Sequence, residues 1–490
     1  EQEEDAIKEM RSAVNSATDE VGKIRRDKDL LERRLKKTDP EAMSFANKIA
    51  NIVRDLPVLD FIDPYYEVKQ VVVKDLTDDL IYLNVPKVDR CMTCHVGIDK
   101  PGFEDAPQPY TTHPDLEKYV APNSPHPMNK YGCTTCHMGR GRGTDFISTV
   151  HYPDSEEQKE EWEDKYHWHK LHHWDQPMLP MKYIEAGCLK CHSGNMPVKG
   201  ADKLSLGMAI VERGGCFGCH QMDRWEGKTE AGPDLTKIAS KTTKNWVTKW
   251  INSPRSFREA TWMPHFFGNT NNSDEASVRR TNQEIHAITA YLFDKSEDFH
   301  LSKKTIKGDP ENGRLLVQSL GCLGCHKLES EQLEEPTVTS IMLEQGPALT
   351  GLGSKTTASW IYEWIRDPVK YHPDTKMPNL RLTKQEASDI ALYLAQDMHK
   401  EFDTETFPEV DENELDGIVI DFLGQNRRKS QVDAKLASMT LNEKLHFTGE
   451  KLISQYGCYG CHDIGGFEKA KPIGTSLNTE ASKLITKLDF

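Results

Sequence analysis

The first 37 positions repeat an apolar residue at alternating steps of three and four. These are Ile7, Met10, Val14, Ala17, Val21, Ile24, Leu31 and Leu35, with Lys28 in the one missed place. That period on a charged background predicts one long helix with a five-heptad seam, stopped at Asp39-Pro40. Two readings stand for it. It is a coiled coil that pairs with another chain or carries the rest of the protein away from a membrane, or it is a solvated helix lying on its own protein. So narrow a stripe buries little by itself, which favours the first. Two runs, VKQVVV (Val68–Val73) and LIYLNV (Leu80–Val85), then predict a short β element with its turn at Asp75–Asp79.

From about 90 to 197 the periodicity fades into a stretch rich in Pro, Gly and His, which reads as loop. From about 200 an internal repeat appears. Gly207-MAIVERGG-Cys216, Gly313-RLLVQSLG-Cys322 and Gly449-EKLISQYG-Cys458 align without a gap. Two copies continue in parallel. Trp246-x3-Trp250-Ile251-x2-Pro254 matches Trp360-x3-Trp364-Ile365-x2-Pro368, and a Met-Pro follows nine residues after each Pro, at Met263 and Met377. Each ends in an amphipathic helix, around Ile288/Tyr291/Leu292 and Ile390/Tyr393/Leu394.

All twelve cysteines fall in C-x-x-C-H motifs: Cys91/Cys94/His95, Cys133/Cys136/His137, Cys188/Cys191/His192, Cys216/Cys219/His220, Cys322/Cys325/His326 and Cys458/Cys461/His462. Two thiols three apart reach the two vinyl groups of a haem, and the adjacent imidazole turns beneath the ring to ligate iron. A lone CxxC would suit zinc or a redox dithiol. Six copies with no spare cysteine point to six covalently bound haem c. Three motifs between 91 and 192 lie too close for separate domains, so the haems form much of that stretch's core.

Segment 91–192 holds seven further histidines, His113, His126, His151, His167, His169, His172 and His173, against six between 193 and 490. That excess predicts bis-His ligation there. His126, His151 and one of His172/His173 are the expected distal ligands, with His113 in reserve. The cluster YHWHKLHH also reads as a surface feature or as hydrogen-bond donors to haem carboxylates.

The net charge of −15 argues against nucleic-acid binding. Eight acids and no Lys or Arg lie between Glu401 and Asp416, read either as a solvated linker or as a surface that steers a basic soluble carrier. No apolar run reaches the ~18–20 residues of a membrane span. Covalent haem attachment is extracytoplasmic, so the chain is expected to be exported to the periplasmic face of a membrane. Its polar start, EQEED, reads as a processed or trimmed mature end.

The repeats resemble class I monohaem cytochrome c domains: a helix running into CxxCH, a loop bearing an axial Met, and a closing helix packed across the first. The resemblance implies His220 with Met263, and His326 with Met377, as axial pairs. Only 28 residues follow His462, without Met, His or Cys. The third repeat therefore reads as a partial domain, completed past Phe490 or by a separate chain, or as a five-coordinate, reactive haem. The phrases DRCMTCH, SPHP and YGCTTCHMGRG, followed by tandem class I domains, are similar to multihaem cytochrome c subunits of bacterial quinol-oxidising complexes of the Rieske–cytochrome b kind.

The expected fold is mainly α. It comprises a coiled-coil helix and connector (1–60), a loop-rich trihaem module with a small β element (61–197), class I domains at 198–300 and 301–400, an acidic linker (401–437) and a partial class I domain (438–490). The expected function is electron relay, from low-potential bis-His haems to higher-potential His/Met haems, among other subunits of a membrane redox complex. A haem enzyme, such as a peroxidase or small-oxide reductase with an open iron at His462, is the first rival. An assembly subunit organised by residues 1–37 is the second.

Overall fold

The computed structural model describes residues 2–38, 44–54, 68–80, 83–172, 176–194, 196–228, 231–301, 305–329, 335–343 and 346–478. Helices dominate throughout, as the sequence pattern predicts. The chain divides into two compact units, residues 1–194 and residues 195–481.

In the first unit, α1 (Gln2–Thr38) is the long helix expected from the heptad pattern. Its seam residues Met10, Val14, Val21 and Ile24 are exposed, whereas Leu31 is buried. A second helix, α2 (Phe45–Arg54), follows. Strands β1 (Val71–Leu80) and β2 (Leu83–Asp89) pair antiparallel from Val71↔Asp89 to Leu80↔Leu83. The turn expected at Asp75–Asp79 is instead part of a strand. The register slips between Val73 and Thr77, so a bulge takes up the extra residues, and Lys87 pairs with Asp78 at 2.9 Å. Beyond Asp89 the unit is mostly turns and single helical turns, with a longer helix at Glu156–Tyr166 and a helical segment at Met181–Lys190, held by buried polar anchors. Asp89 is the principal one: its carboxylate accepts from the Cys133 and Thr134 N–H groups and from the Thr134 hydroxyl.

The second unit is helical. Its main helices are α3 (Asp202–Gly214), α4 (Lys244–Asn252), α5 (Glu275–Asp294), α6 (Pro310–Ser319), α7 (Ala358–Arg366), α8 (Lys384–Ala395), α9 (Glu412–Gly424) and α10 (Leu441–Tyr456). Thr243 and Thr357 cap α4 and α7 alike, each hydroxyl accepting from the tryptophan N–H three residues on. Two cores form. One contains Val317, Trp360, Ile365, Ile390 and Leu394, where α6, α7 and α8 meet. The other contains Trp246, Ile285, Ile288, Tyr291, Leu452 and Ile453, where α4 and α5 meet α10.

That second core departs from sequence order. The chief helix partner of α5 is α10, from the third repeat, while α3 packs on the short helix Val338–Leu343. The stretch expected as an acidic linker is also structured. Leu415, Ile418, Val419 and Leu423 of α9 are buried, Lys249 donates to the carbonyls of Phe402 and Asp403, and Lys444 pairs with Glu412 (2.8 Å) and Asp416 (2.6 Å). Apolar residues spaced along α9 give it a face to bury, which a reading by charge alone overlooks.

Candidate haem sites

Each CxxCH motif adopts one helical turn, in which the histidine N–H donates to the carbonyl of the first cysteine at 2.9–3.1 Å. This turn brings both thiols and the imidazole to one side of the backbone. All twelve cysteines are free thiols. In the three repeats the turn follows a glycine in the left-handed region, Gly215, Gly321 and Gly457, which ends the preceding helix sharply.

Cys191 differs from the other five motif cysteines of the first unit in its exposure. It is exposed, as Cys325 is in the second unit, while the other ten cysteines are half-buried. The reason is its place in the chain: the helical segment Met181–Lys190 ends just before it, and Ser193 and Gly194 beyond it are exposed as well. Local geometry is unchanged by this exposure. The Cys191 N–H donates to the Cys188 carbonyl at 3.2 Å, the same closure as at Cys94 and Cys136, so Cys191 stays an anchoring candidate, but at the surface.

In the first unit every motif histidine faces a second imidazole. Ring centroids lie 6.2 Å apart for His95 and His151, 6.2 Å for His137 and His113, and 5.9 Å for His192 and His126. Two imidazoles on opposite sides of one metal, each with nitrogen about 2 Å from it, hold their centroids about 6 Å apart. The distal rings are oriented from behind. His113 Nδ1 bonds to the Pro114 carbonyl (2.6 Å), His126 Nδ1 to that of Lys118 (3.1 Å) and His151 Nδ1 to that of Phe146 (2.9 Å). A carbonyl only accepts, so Nδ1 carries a proton and Nε2 is the nitrogen left to ligate a metal. Burial, then a neighbouring imidazole, pushes His95 and His137 down to about 4, so both are neutral.

His172 is exposed and takes part in none of these ring pairs, and His173 lies outside the described residues. The reserve candidate His113 holds that place. Closeness in sequence misleads here, because the histidines nearest the Cys133 motif, His126 and His151, face His192 and His95. A short strand at Tyr119–Val120, paired parallel with His126–Pro127, sets both His113 and His126 against Tyr119.

In the second unit, repeat 301–398 is self-contained. His326 Nδ1 bonds to the Pro347 carbonyl (2.7 Å), Gly346 N–H donates to the Cys325 carbonyl (3.0 Å), and Leu349 N–H to that of Lys327 (2.8 Å). Met377 belongs to the same core as Cys322, and Trp364 Nε1–H donates to its sulfur at 2.9 Å.

The other two motifs exchange these loops. His462 Nδ1 bonds to the Pro233 carbonyl (2.8 Å), Gly232 N–H donates to the Cys461 carbonyl (2.7 Å), and Leu235 N–H to that of Asp463 (3.0 Å). His220 Nδ1 bonds to the Thr475 carbonyl (2.8 Å), Gly474 N–H donates to the Cys219 carbonyl (2.6 Å), and Leu477 N–H to that of Gln221 (3.0 Å). The two motifs also touch: a Cβ on Gly218 would overlap the Gly460 carbonyl.

Residues 204–294 and 310–397 each match the cytochrome c family model. These two segments are cytochrome c domains in tandem. Neither the comparison with curated proteins nor that with solved structures returned a match.

Cytochrome c domains carry covalently bound haem c, and the residues present fit it. Gly232, Gly346 and Gly474 form cradles in which any Cβ would strike the imidazole of His462, His326 or His220. The indole Nε1 atoms of Trp246 and Trp360 are buried without a hydrogen-bond partner, as suits donors to the haem carboxylates. Lysines of the second unit cross between its two main cores. Lys355 Nζ lies 4.9 Å from the Trp246 ring, and Lys241 Nζ lies 4.7 Å from the Trp360 ring. Burial, reinforced by Arg258, pushes Lys241 down to about 8, and burial, reinforced by Lys241 and Arg258, pushes Lys355 well below the ordinary lysine range. Cations so placed call for anions beside them.

Proposed function

We propose that this cytochrome is a hexahaem electron carrier and works as a subunit of a membrane-associated, quinol-oxidising respiratory complex on the extracytoplasmic face. Each haem, when bound, supplies a one-electron redox site. The chain supplies anchoring thiols, proximal imidazoles, and a second ligand that closes the iron. The observation that carries the reading is the set of three imidazole pairs at about 6 Å, because a closed iron passes electrons and does not take substrate.

Bis-His pairs in 61–194 and methionines in the tandem domains support a gradient from lower to higher potential. The touching motifs at Gly218 and Gly460 support short-range transfer between the sites of the first and third repeats. The exposed seam of α1 supports a helical partner in the complex, and among the described residues no helix is long and apolar enough to cross a membrane. The acidic stretch has less free charge than its composition suggests, since Glu412, Asp416 and Glu414 pair with Lys444 and Arg279. A basic soluble carrier therefore has Glu401, Glu405 and Glu409 as its main contacts there.

A haem count by pyridine haemochrome, with a carbon monoxide difference spectrum on the reduced protein, tests the reading. Six haems with the three bis-His sites inert to carbon monoxide is the expected result. Fewer haems, or carbon monoxide binding at the sites of 61–194, would overturn it.

A further inference from the structure

The iron partner of Met263 is not the histidine that precedes it in the chain. We propose that Met263 is the sixth ligand of the haem held by Cys458, Cys461 and His462, so that repeats one and three share one cytochrome c site between them. The proposal rests on the electron-carrier reading and makes its ligand sets specific.

The self-contained repeat provides the internal standard. There, three features accompany His326: the Gly346–Leu349 loop behind the imidazole, the Met377 loop in the same core, and a crossing of α8 over α6. The crossing point is Gly313, nine residues before the first cysteine, where a Cβ would lie 2.1 Å from the Asp389 carbonyl oxygen and 2.9 Å from Tyr393 Cβ. Only glycine lets the two helices approach so closely.

All three features recur around His462, and all come from residues 232–294. The loop is Gly232–Leu235. The crossing is at Gly449, where a Cβ would lie 2.2 Å from the Ala287 carbonyl oxygen and 2.8 Å from Tyr291 Cβ, so Tyr291 takes the place of Tyr393. Trp250 Nε1–H donates to the Met263 sulfur at 2.8 Å, and Trp250 packs with Cys458 and Tyr459 against one core. The rings of Phe266 and Phe267, just beyond Met263, lie 5.7 and 5.4 Å from that of Tyr456.

Around His220 the correspondence fails. Gly207 is the matching glycine, and among the described residues nothing lies within 4 Å of a Cβ placed there, so α5 does not cross α3. The loop behind its imidazole is Gly474–Leu477. Trp250, which donates to the Met263 sulfur, packs in the core that takes in Cys458 and not Cys216.

Two double variants of the full chain separate the pairings. In the oxidised protein, each Met-ligated ferric haem c contributes a weak red charge-transfer band. Cys458→Ser/Cys461→Ser is expected to lose the Met263 share of this band and leave the Met377 share. Cys216→Ser/Cys219→Ser is expected to keep both. Band loss in the second variant with retention in the first would overturn the assignment, as would a parent protein with no such band. Where a double variant does not accumulate, the unaltered reduced protein labelled at its methionine methyls answers instead. Nuclear Overhauser contacts from the Met263 methyl to the Tyr456 ring are expected, and contacts to Phe217 would overturn the proposal. A haem count below six fails the carrier reading, whereas six haems with the opposite band pattern fails only this pairing.

Discussion

His462 and Pro233, 229 positions apart in the chain, share a 2.8 Å hydrogen bond from imidazole Nδ1 to backbone carbonyl. The bond places the last CxxCH motif of the chain against the loop that follows the fourth, and it predicts that damage at 232 is felt at 462.

Gly232→Ala puts a Cβ 2.4 Å from the His462 ring, a contact no small shift of backbone relieves. Overpacking of this kind costs about 1–3 kcal/mol. A lowered melting temperature and disturbed ligand-sensitive absorbance are expected, with the same result for Gly346→Ala at His326. Gly207→Ala has open space in a helix and is expected to be neutral or stabilising by up to about 1 kcal/mol. Thermal melts of the three variants check the ranking.

His113→Ala removes the ring that faces His137, and His172→Ala removes an exposed ring. The first is expected to create one carbon monoxide-binding haem per chain and the second none. Titration of the reduced variants with carbon monoxide gives the stoichiometry directly.

Asp89 is buried, and its carboxylate holds the start of the turn that carries Cys136 and His137. Asp89→Ala strands two backbone N–H groups and a hydroxyl, at about 1–3 kcal/mol for each buried group left unsatisfied. A total loss of roughly 3–5 kcal/mol is expected, at the upper end for single substitutions. Denaturant unfolding of the variant against its parent measures it. Asp89→Asn keeps acceptor capacity on one oxygen and is expected to lose less.

Lys355 and Lys241 each approach the tryptophan of the opposite core. A cation near a haem favours the reduced, less positive state. Lys355→Met is therefore expected to lower the potential of the haem beside Trp246, and Lys241→Met that of the haem beside Trp360. At an effective dielectric of ~20 the effect is about 1–2 kcal/mol, or roughly 40–90 mV for one electron. Spectroelectrochemical titration of each variant tests whether the shifted couple is the crossed one.

Much of the chemistry was legible in local sequence. The CxxCH turn, the Thr caps before Trp246 and Trp360, and the nine-residue step from Pro254 and Pro368 to methionine depend on neighbours within a turn or two. The same local signal says nothing of burial, so it does not separate the exposed Cys191 from its half-buried counterparts Cys94 and Cys136. The His excess in 91–192 pointed to imidazole partners for the motif histidines, and rings do face one another there, but it did not say which ring meets which. Those pairings depend on irregular backbone around Asp89 and Tyr119, which carries no periodic signal. The helix at Glu412–Gly424 was masked by its acids, although Leu415, Ile418, Val419 and Leu423 already spelled a buried face.

By itself, then, the sequence determined six CxxCH motifs, a mainly helical class, and three copies of one repeat. Only the tertiary structure decided which copies complete each other. The copies present nearly the same apolar faces, so α5 finds an acceptable partner in α3 or α10, and sequence order does not choose between them. Distance along the chain discriminates weakly. Stretching the loop between Met263 and its histidine from 43 to 199 residues costs only about 1–1.5 kcal/mol of closure entropy, less than one well-buried side chain returns. Packing at Gly449 against Ala287 and Tyr291 outweighs that difference, and nothing in the local pattern records it.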